Sequence, residues 1–173
     1  MKTFVRLTPI ILLIAALSTL SSCNAGDDVI EIFTGRVWKL SYISLENNYT
    51  TPFDFWNGDA EAMEASMRLK DIAQNFTIEF TGGLTNSGSY GGSFTGRAVN
   101  STVVGYWSAD GDTKELTFKD VKWSGTESDA YAWAFVRGIS NNVFAYSGDS
   151  ENLYIHYKEE LTTKVMAFRH PLK

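Results

Sequence analysis

Over much of residues 37–169, apolar and polar side chains alternate with a period of two. Successive side chains of an extended chain point to opposite faces, so this alternation predicts strands with one buried face. Residues 36–45 open the pattern. Trp38, Leu40 and Tyr42, with Ser44, fall on one face; Lys39, Ser41 and Ile43 fall on the other. Phe76, Ile78 and Phe80 oppose Thr77, Glu79 and Thr81 in the same way. Residues 89–98 and 103–109 predict two more strands. Asp110-Gly111-Asp112 reads as a turn leading into Glu115-Leu116-Thr117-Phe118. Leu116 and Phe118 continue to Val121 and Trp123, and the change of phase predicts an irregularity near Asp120. Residues 143–146 form a further short strand. After a Gly148-Asp149-Ser150 turn, Leu153, Ile155 and Tyr157 oppose Tyr154, His156 and Lys158. Residues 164–169 close the chain, with Val165, Ala167 and Arg169 opposite Met166 and Phe168.

Two stretches depart from that period. In residues 59–74, Ala62, Ala65, Leu69 and Ile72 form a stripe at spacings of three and four, flanked by Met63 and Met67. Asp59 can cap this helix. Glu61 and Glu64 lie early and Arg68 and Lys70 late, as the helix dipole favours. Residues 127–139 read two ways. Tyr131, Trp133 and Phe135 alternate as in a strand. Ala132, Phe135, Val136 and Ile139 form a helical stripe, which Asp129 can cap and Gly138 can end. Periodicity favours the helix. Residues 47–57, with Pro52 and the cluster Phe53-Asp54-Phe55-Trp56, read as a loop whose rings pack over one end of the sheet. Residues 82–88 read as a glycine-rich loop. The expected fold is therefore α+β and mainly β: an antiparallel sheet curled into a partial barrel with one or two helices.

The N-terminus follows another pattern. Lys2 and Arg6 precede an apolar run over 10–17, and Leu20-Ser21-Ser22-Cys23 follows. Charged, apolar and small regions in that order predict a secretory signal over 1–22. The run is shorter than the ~20 residues that span a bilayer. Cys23 is the only cysteine of the chain. With Leu20 three positions before it and Ser21 and Ser22 between, the segment resembles the lipobox of bacterial lipoproteins. That resemblance implies acylation of the Cys23 thiol and anchoring in a membrane. The residue after it is Asn24, not an aspartate, which implies the outer membrane of a Gram-negative bacterium, on its periplasmic or outer surface. Each buried methylene contributes about 0.8 kcal/mol, so two or three acyl chains hold firmly. Residues 23–33, with Asp27, Asp28 and Glu31, read as an acidic tether, and 34–173 as one domain. Cleavage removes two of the 15 basic residues against 20 acidic ones, taking the net charge from −5 to −7. Such a surface excludes nucleic acid as a partner.

No pattern for chemistry emerges. His156 and His170 are the two histidines, and neither has a partner at metal-ligand spacing. Asp110, Asp112 and Glu115 lack the remaining oxygens of a calcium loop. The glycines of 82–88 lack the Gly-Lys-Ser/Thr ending of a phosphate loop. No catalytic residue, metal or cofactor is expected. Gly35 and Trp38-Lys39-Leu40, then Glu127, Gly148-Asp149, Leu153, Ile155 and Phe168, resemble the META-domain family of small envelope proteins. Only Asn100 remains of that family's central Gly-Cys-Asn, no cysteine lies near Thr126, and 59–74 is an insertion. The resemblance implies a non-catalytic envelope or stress-related role through protein partners. The alternative is a lipocalin-like module for a small hydrophobic ligand or a glycan, with Trp56, Trp107 and Trp123 as candidate contacts.

Overall fold

A computed structural model describes residues 25–170 apart from Ser87. The signal segment and its Leu20, Ser21, Ser22 and Cys23 lie outside the described residues. The strands are β1 (Val37–Leu45), β2 (Asn48–Pro52), β3 (Thr77–Leu84), β4 (Tyr90–Arg97), β5 (Thr102–Ala109), β6 (Leu116–Ser124), β7 (Asn142–Gly148), β8 (Asn152–Glu159) and β9 (Thr162–Arg169). The helices are α1 (Ala25–Phe33), α2 (Ala60–Asp71) and α3 (Ala130–Ser140). All strand pairs are antiparallel, in the order β6-β5-β4-β3-β1-β9-β8-β7, with β2 paired to β1. The edge strands approach each other at a single bridge between Glu115 and Ala145, where the Tyr146 N–H donates to the Lys114 carbonyl at 3.0 Å. The sheet curls without closing, and the fold is α+β and mainly β.

An open curl cannot shield its own concave face. α1 covers one end, and this corrects the tether expected over 23–33. Asp28 is exposed, but Val29, Ile32 and Phe33 are buried, so the acidic face is solvated and the apolar one packs inward. The stripe Val29, Ile32 and Phe33 has helical spacing, but it is a single turn long and lies among Asp27, Asp28 and Glu31, so the acidic charges mask it in the sequence. Phe33 stacks on Trp107 at 4.8 Å and meets Phe80 and Tyr146 edge-on at 4.9 Å each. Trp38 Nε1 donates to the Ile32 carbonyl at 3.1 Å, tying the helix to β1. The strand that receives α1 is unusual. Residues expected as a loop at 82–88 extend β3 to Leu84, with Gly82 facing Gly92. A Cβ on Gly82, where φ is +137°, would lie 2.2 Å from the Gly91 carbonyl oxygen. The two strands thus approach more closely than side chains permit.

α3 covers the other end. Asp129 caps it through the Ala132 N–H, and the stripe Ala132, Phe135, Val136 and Ile139 is fully buried. Gly138 does not end this helix; Asn141 does. A Cβ at Gly138 would sit 3.1 Å from the Tyr157 ring, so the residue lets helix and sheet pack closely. The aromatic loop lies beside it, as expected. Trp56 stacks on Tyr131 at 5.5 Å and donates from Nε1 to Ser66 Oγ at 2.8 Å. Ser66 in turn donates to Asp129 Oδ2 at 2.6 Å, linking α2 to the cap of α3. α2 begins on its Asp59 cap, but Ile72 lies past its end and is exposed.

Two details correct the strand reading. Residues expected as loop contain β2, which folds back on β1. In β1 the pairing with β9 shifts between Leu40 and Tyr42. This bulge turns Tyr42 out and Ile43 in, breaking the alternation drawn across it. The expected irregularity near Asp120 is present: φ is +51° there, and β5 and β6 shift register between Val104 and Tyr106.

Two outcomes are expected. Phe33→Ala should destabilise the domain by about 3–5 kcal/mol in urea unfolding, as emptying a core ring site does; a tether residue would cost under about 0.5 kcal/mol. Burial, with the Asp110 and Asp28 carboxylates nearby, pushes the Tyr146 hydroxyl up to about 12. Its folded pKa thus lies above the ~10 of the unfolded chain, so its contribution is whole below pH 10 and lost as pH rises toward 12. The Tyr146 hydroxyl also donates to the Asp110 carbonyl at 3.3 Å. Tyr146→Phe should therefore be less stable than wild type by about 1 kcal/mol at neutral pH. That gap should close and reverse between pH 10 and 12 in urea melts.

Candidate functional site

The three tryptophans singled out as ligand contacts separate. Trp107 is 2% exposed inside the curl, its Nε1 donating to the Thr81 carbonyl at 3.0 Å. Trp56 is 8% exposed beneath the aromatic loop. Both serve packing, because each buried ring finds an acceptor for its N–H. Trp123 is 50% exposed and meets Trp133 of α3 edge-on at 6.2 Å. It stands on β6, at an edge of the sheet.

The convex face of the sheet carries a better-built site. Register sets Tyr42 of β1 opposite Ala167 of β9, Ala167 opposite Tyr154 of β8, and Tyr154 opposite Ser147 of β7. One row of side chains thus crosses four strands. Ala167 is small and 3% exposed, so the row dips between its two tyrosines. Tyr49, carried on β2, meets Tyr154 edge-on at 6.5 Å. Together Tyr42, Tyr49, Ser147 and Tyr154 line an open groove of about 260 Å³. Burial and the adjacent Glu46 carboxylate raise the Tyr49 hydroxyl above its ordinary range.

The neighbouring row supplies polar chemistry. Val165, buried on the same face, stands opposite both Ser44 and His156. His156 Nδ1 lies 3.2 Å from Glu46 Oε1, and its Nε2 lies 3.4 Å from Ser147 Oγ. The imidazole side chain is 12% exposed and the Glu46 side chain 39%. Phe144 packs edge-on against the His156 ring at 6.2 Å. A serine, a histidine and a carboxylate therefore stand in line, with the serine hydroxyl opening on the groove. The order matches that of an acyl-transfer triad. Ser147, however, lies within a strand, not on a strand-to-helix turn where backbone N–H groups converge on an oxyanion. The arrangement orients hydrogen-bonding groups toward whatever occupies the groove.

Sequence reasoning placed Tyr154 and His156 on an outward face but did not join them to Tyr42, Tyr49, Glu46 or Ser147. Glu46 and His156 are 110 positions apart, and the set meets only through strand order. The bulge in β1, which brings Tyr42 to the outside, leaves no mark beyond an apolar Ile43 out of phase.

Elsewhere the polar clusters are structural. Asp110 Oδ1 accepts from the Asp112 and Thr113 N–H groups at 2.9 and 2.8 Å, closing its own turn. Those bonds hold its carboxyl below the usual range. Lys164, 6% exposed, pairs with Glu159 at 2.5 Å and lies 4.0 Å from the Phe53 ring centre. Its charge is thus matched by a carboxylate and by a ring face. Among the described residues no helix is long and apolar enough to cross a membrane.

No functionally curated protein matches the chain. Its fold is similar to the crystal structure, at 1.00 Å resolution, of a DUF4847 family protein from Bacteroides vulgatus. The two are 25% identical, with a TM-score of 0.57, over 84% of this chain and 99% of the other. The model of the same family, a domain of unknown function, matches residues 24–170, which include α1 and both ends of the sheet. The chain belongs to the DUF4847 family.

Proposed function

We propose that this protein is a lipid-anchored envelope protein that acts by binding at the surface of its sheet, without catalysis and without an internal ligand chamber. The observation that carries this reading is the filled interior. Phe33, Phe80, Phe94 and Trp107 occupy the concave side, with successive ring centres 4.8–6.2 Å apart. Phe76, Tyr131 and Phe135 continue the packing toward α3 at 5.5 and 5.8 Å. A lipocalin-like container needs that volume for its cargo. Here side chains take it, and the lined groove lies on the opposite, convex face.

The anchor rests on the lipobox-like Leu20-Ser21-Ser22-Cys23. The chain between Cys23 and α1 is one residue long, Asn24. The folded domain therefore begins almost at that cysteine, and a bilayer-held copy would carry α1 close to the headgroups.

The experiment is metabolic labelling with a palmitate analogue followed by membrane fractionation. Wild type should carry the label and sediment with membranes. Cys23→Ser should carry none and leave the membrane fraction. Equal labelling of the two proteins would overturn the anchor. Native mass spectrometry of the purified protein tests the filled interior, with the expected result being no co-purified lipid beyond the N-terminal acyl chains.

A further inference from the structure

The groove on the convex face combines two kinds of surface. One is aromatic: Tyr42 and Tyr154 flank Ala167, and Tyr49 stands over Tyr154 edge-on. The other is a fixed polar end. Glu46 and Ser147 are held on either side of His156, at 3.2 and 3.4 Å. The aromatic part favours a flat apolar face laid against it. The polar end and the tyrosine hydroxyls offer donors and acceptors at that ligand's rim. A sugar ring meets both demands, because its C–H face is apolar and its edge carries hydroxyls that donate and accept. A purely apolar ligand would strip water from the partly exposed Glu46 carboxylate and from Ser147 without replacing those hydrogen bonds, since His156 meets only part of their capacity.

From this juxtaposition we infer that the Tyr42–Tyr49–Tyr154 groove, with Glu46, Ser147 and His156 at its end, binds a neutral glycan. The inference rests on the surface-binding reading above and names its ligand class. Size is consistent with it. A groove of about 260 Å³ lies below the ~300–1,000 Å³ that encloses a drug-sized molecule, which suits one or two sugar rings of a longer chain. Its open form lets such a chain continue past both sides. Charge selects the neutral class. The carboxylate of Glu46 and the chain's net negative charge repel acidic sugars, and the acceptor is already oriented by His156. Tyr154 supplies the stacking surface and Tyr49 a wall carried on the β2 hairpin. Glu46 accepts from a sugar hydroxyl, and His156 is a positioning residue that fixes Glu46 and Ser147.

The test is an array of neutral polysaccharides and oligosaccharides probed with the full-length protein in mild detergent, followed by calorimetry on any hit. At least one neutral glycan should bind. Tyr154→Ala and Tyr49→Ala should each weaken it by about tenfold or more, as loss of a central aromatic contact does. Glu46→Gln should weaken it less, and Trp123→Ala, away from the groove, should leave it unchanged. Tyr49 is 44% exposed on a hairpin, so its variant should fold even if Tyr154→Ala does not, and circular dichroism verifies both. Absence of binding across the array would overturn the inference. So would a glycan whose affinity ignores both tyrosine variants, or one lost on Trp123→Ala. Neither outcome touches the anchor, because Cys23→Ser is read by labelling and fractionation, and a soluble Cys23→Ser protein should still bind the glycan.

Discussion

The sheet curls without closing, and this constraint organises everything else. Its two edge strands touch at one bridge, Glu115 to Ala145, so the concave face cannot be sealed by the ladder itself. Large rings do the sealing. Phe33 comes from a nine-residue helix at the N-terminal end of the described chain, yet it lies among Phe80, Trp107 and Tyr146 with no exposed surface. The helix is held by the Trp38 indole and seated beside the paired glycines of β3 and β4. At the far end, α3 and the Phe55-Trp56 loop complete the same task, linked through Ser66 and Asp129. A buried aromatic ring contributes several kcal/mol, so these end pieces are parts of the core and not decorations on a finished barrel.

With the concave side filled by side chains, the aromatic groove lies on the convex side. That face is covered where β2 folds back along β1 and where Val165, Ser44 and Ala167 are buried. The bulge at Leu40–Tyr42 matters here. By adding a residue to one strand it re-aims every side chain beyond it, sending Ile43 into the core and Tyr42 to the groove. Without it, Tyr42 would point inward and the row across Ala167 to Tyr154 would lack a wall. The same irregularity that disturbs a simple strand pattern thus builds the site.

The polar end of the groove shows why residue order alone is poor evidence for chemistry. Ser147, His156 and Glu46 have the sequence of roles found in serine hydrolases, yet a triad accelerates acyl transfer only beside donors placed for the developing oxyanion. A strand surface offers a fixed hydrogen-bonding edge instead. The aromatic rings beside it then decide what kind of molecule that edge would hold. Membership of the DUF4847 family and the fold shared with the Bacteroides vulgatus protein concern the architecture alone.

Local patterns were legible in the sequence wherever one element has one wet face and one dry one. The alternation in β3, β5 and β8 follows from the two-residue period of the strand, and the caps Asp59 and Asp129 follow from unpaired N–H groups at helix starts. The curled, mainly β class followed from the number of such strands. What needed the tertiary structure was every decision that depends on distant partners. The stretch 25–33 looks like an acidic linker until a concave face exists to receive Val29, Ile32 and Phe33. Trp56, Trp107 and Trp123 look equivalent until packing buries two and leaves one out. The groove exists only because β9 lies between β1 and β8, placing residue 42 beside residue 154. Period and capping are properties of neighbours in the chain, whereas strand order and burial are set by the whole core at once.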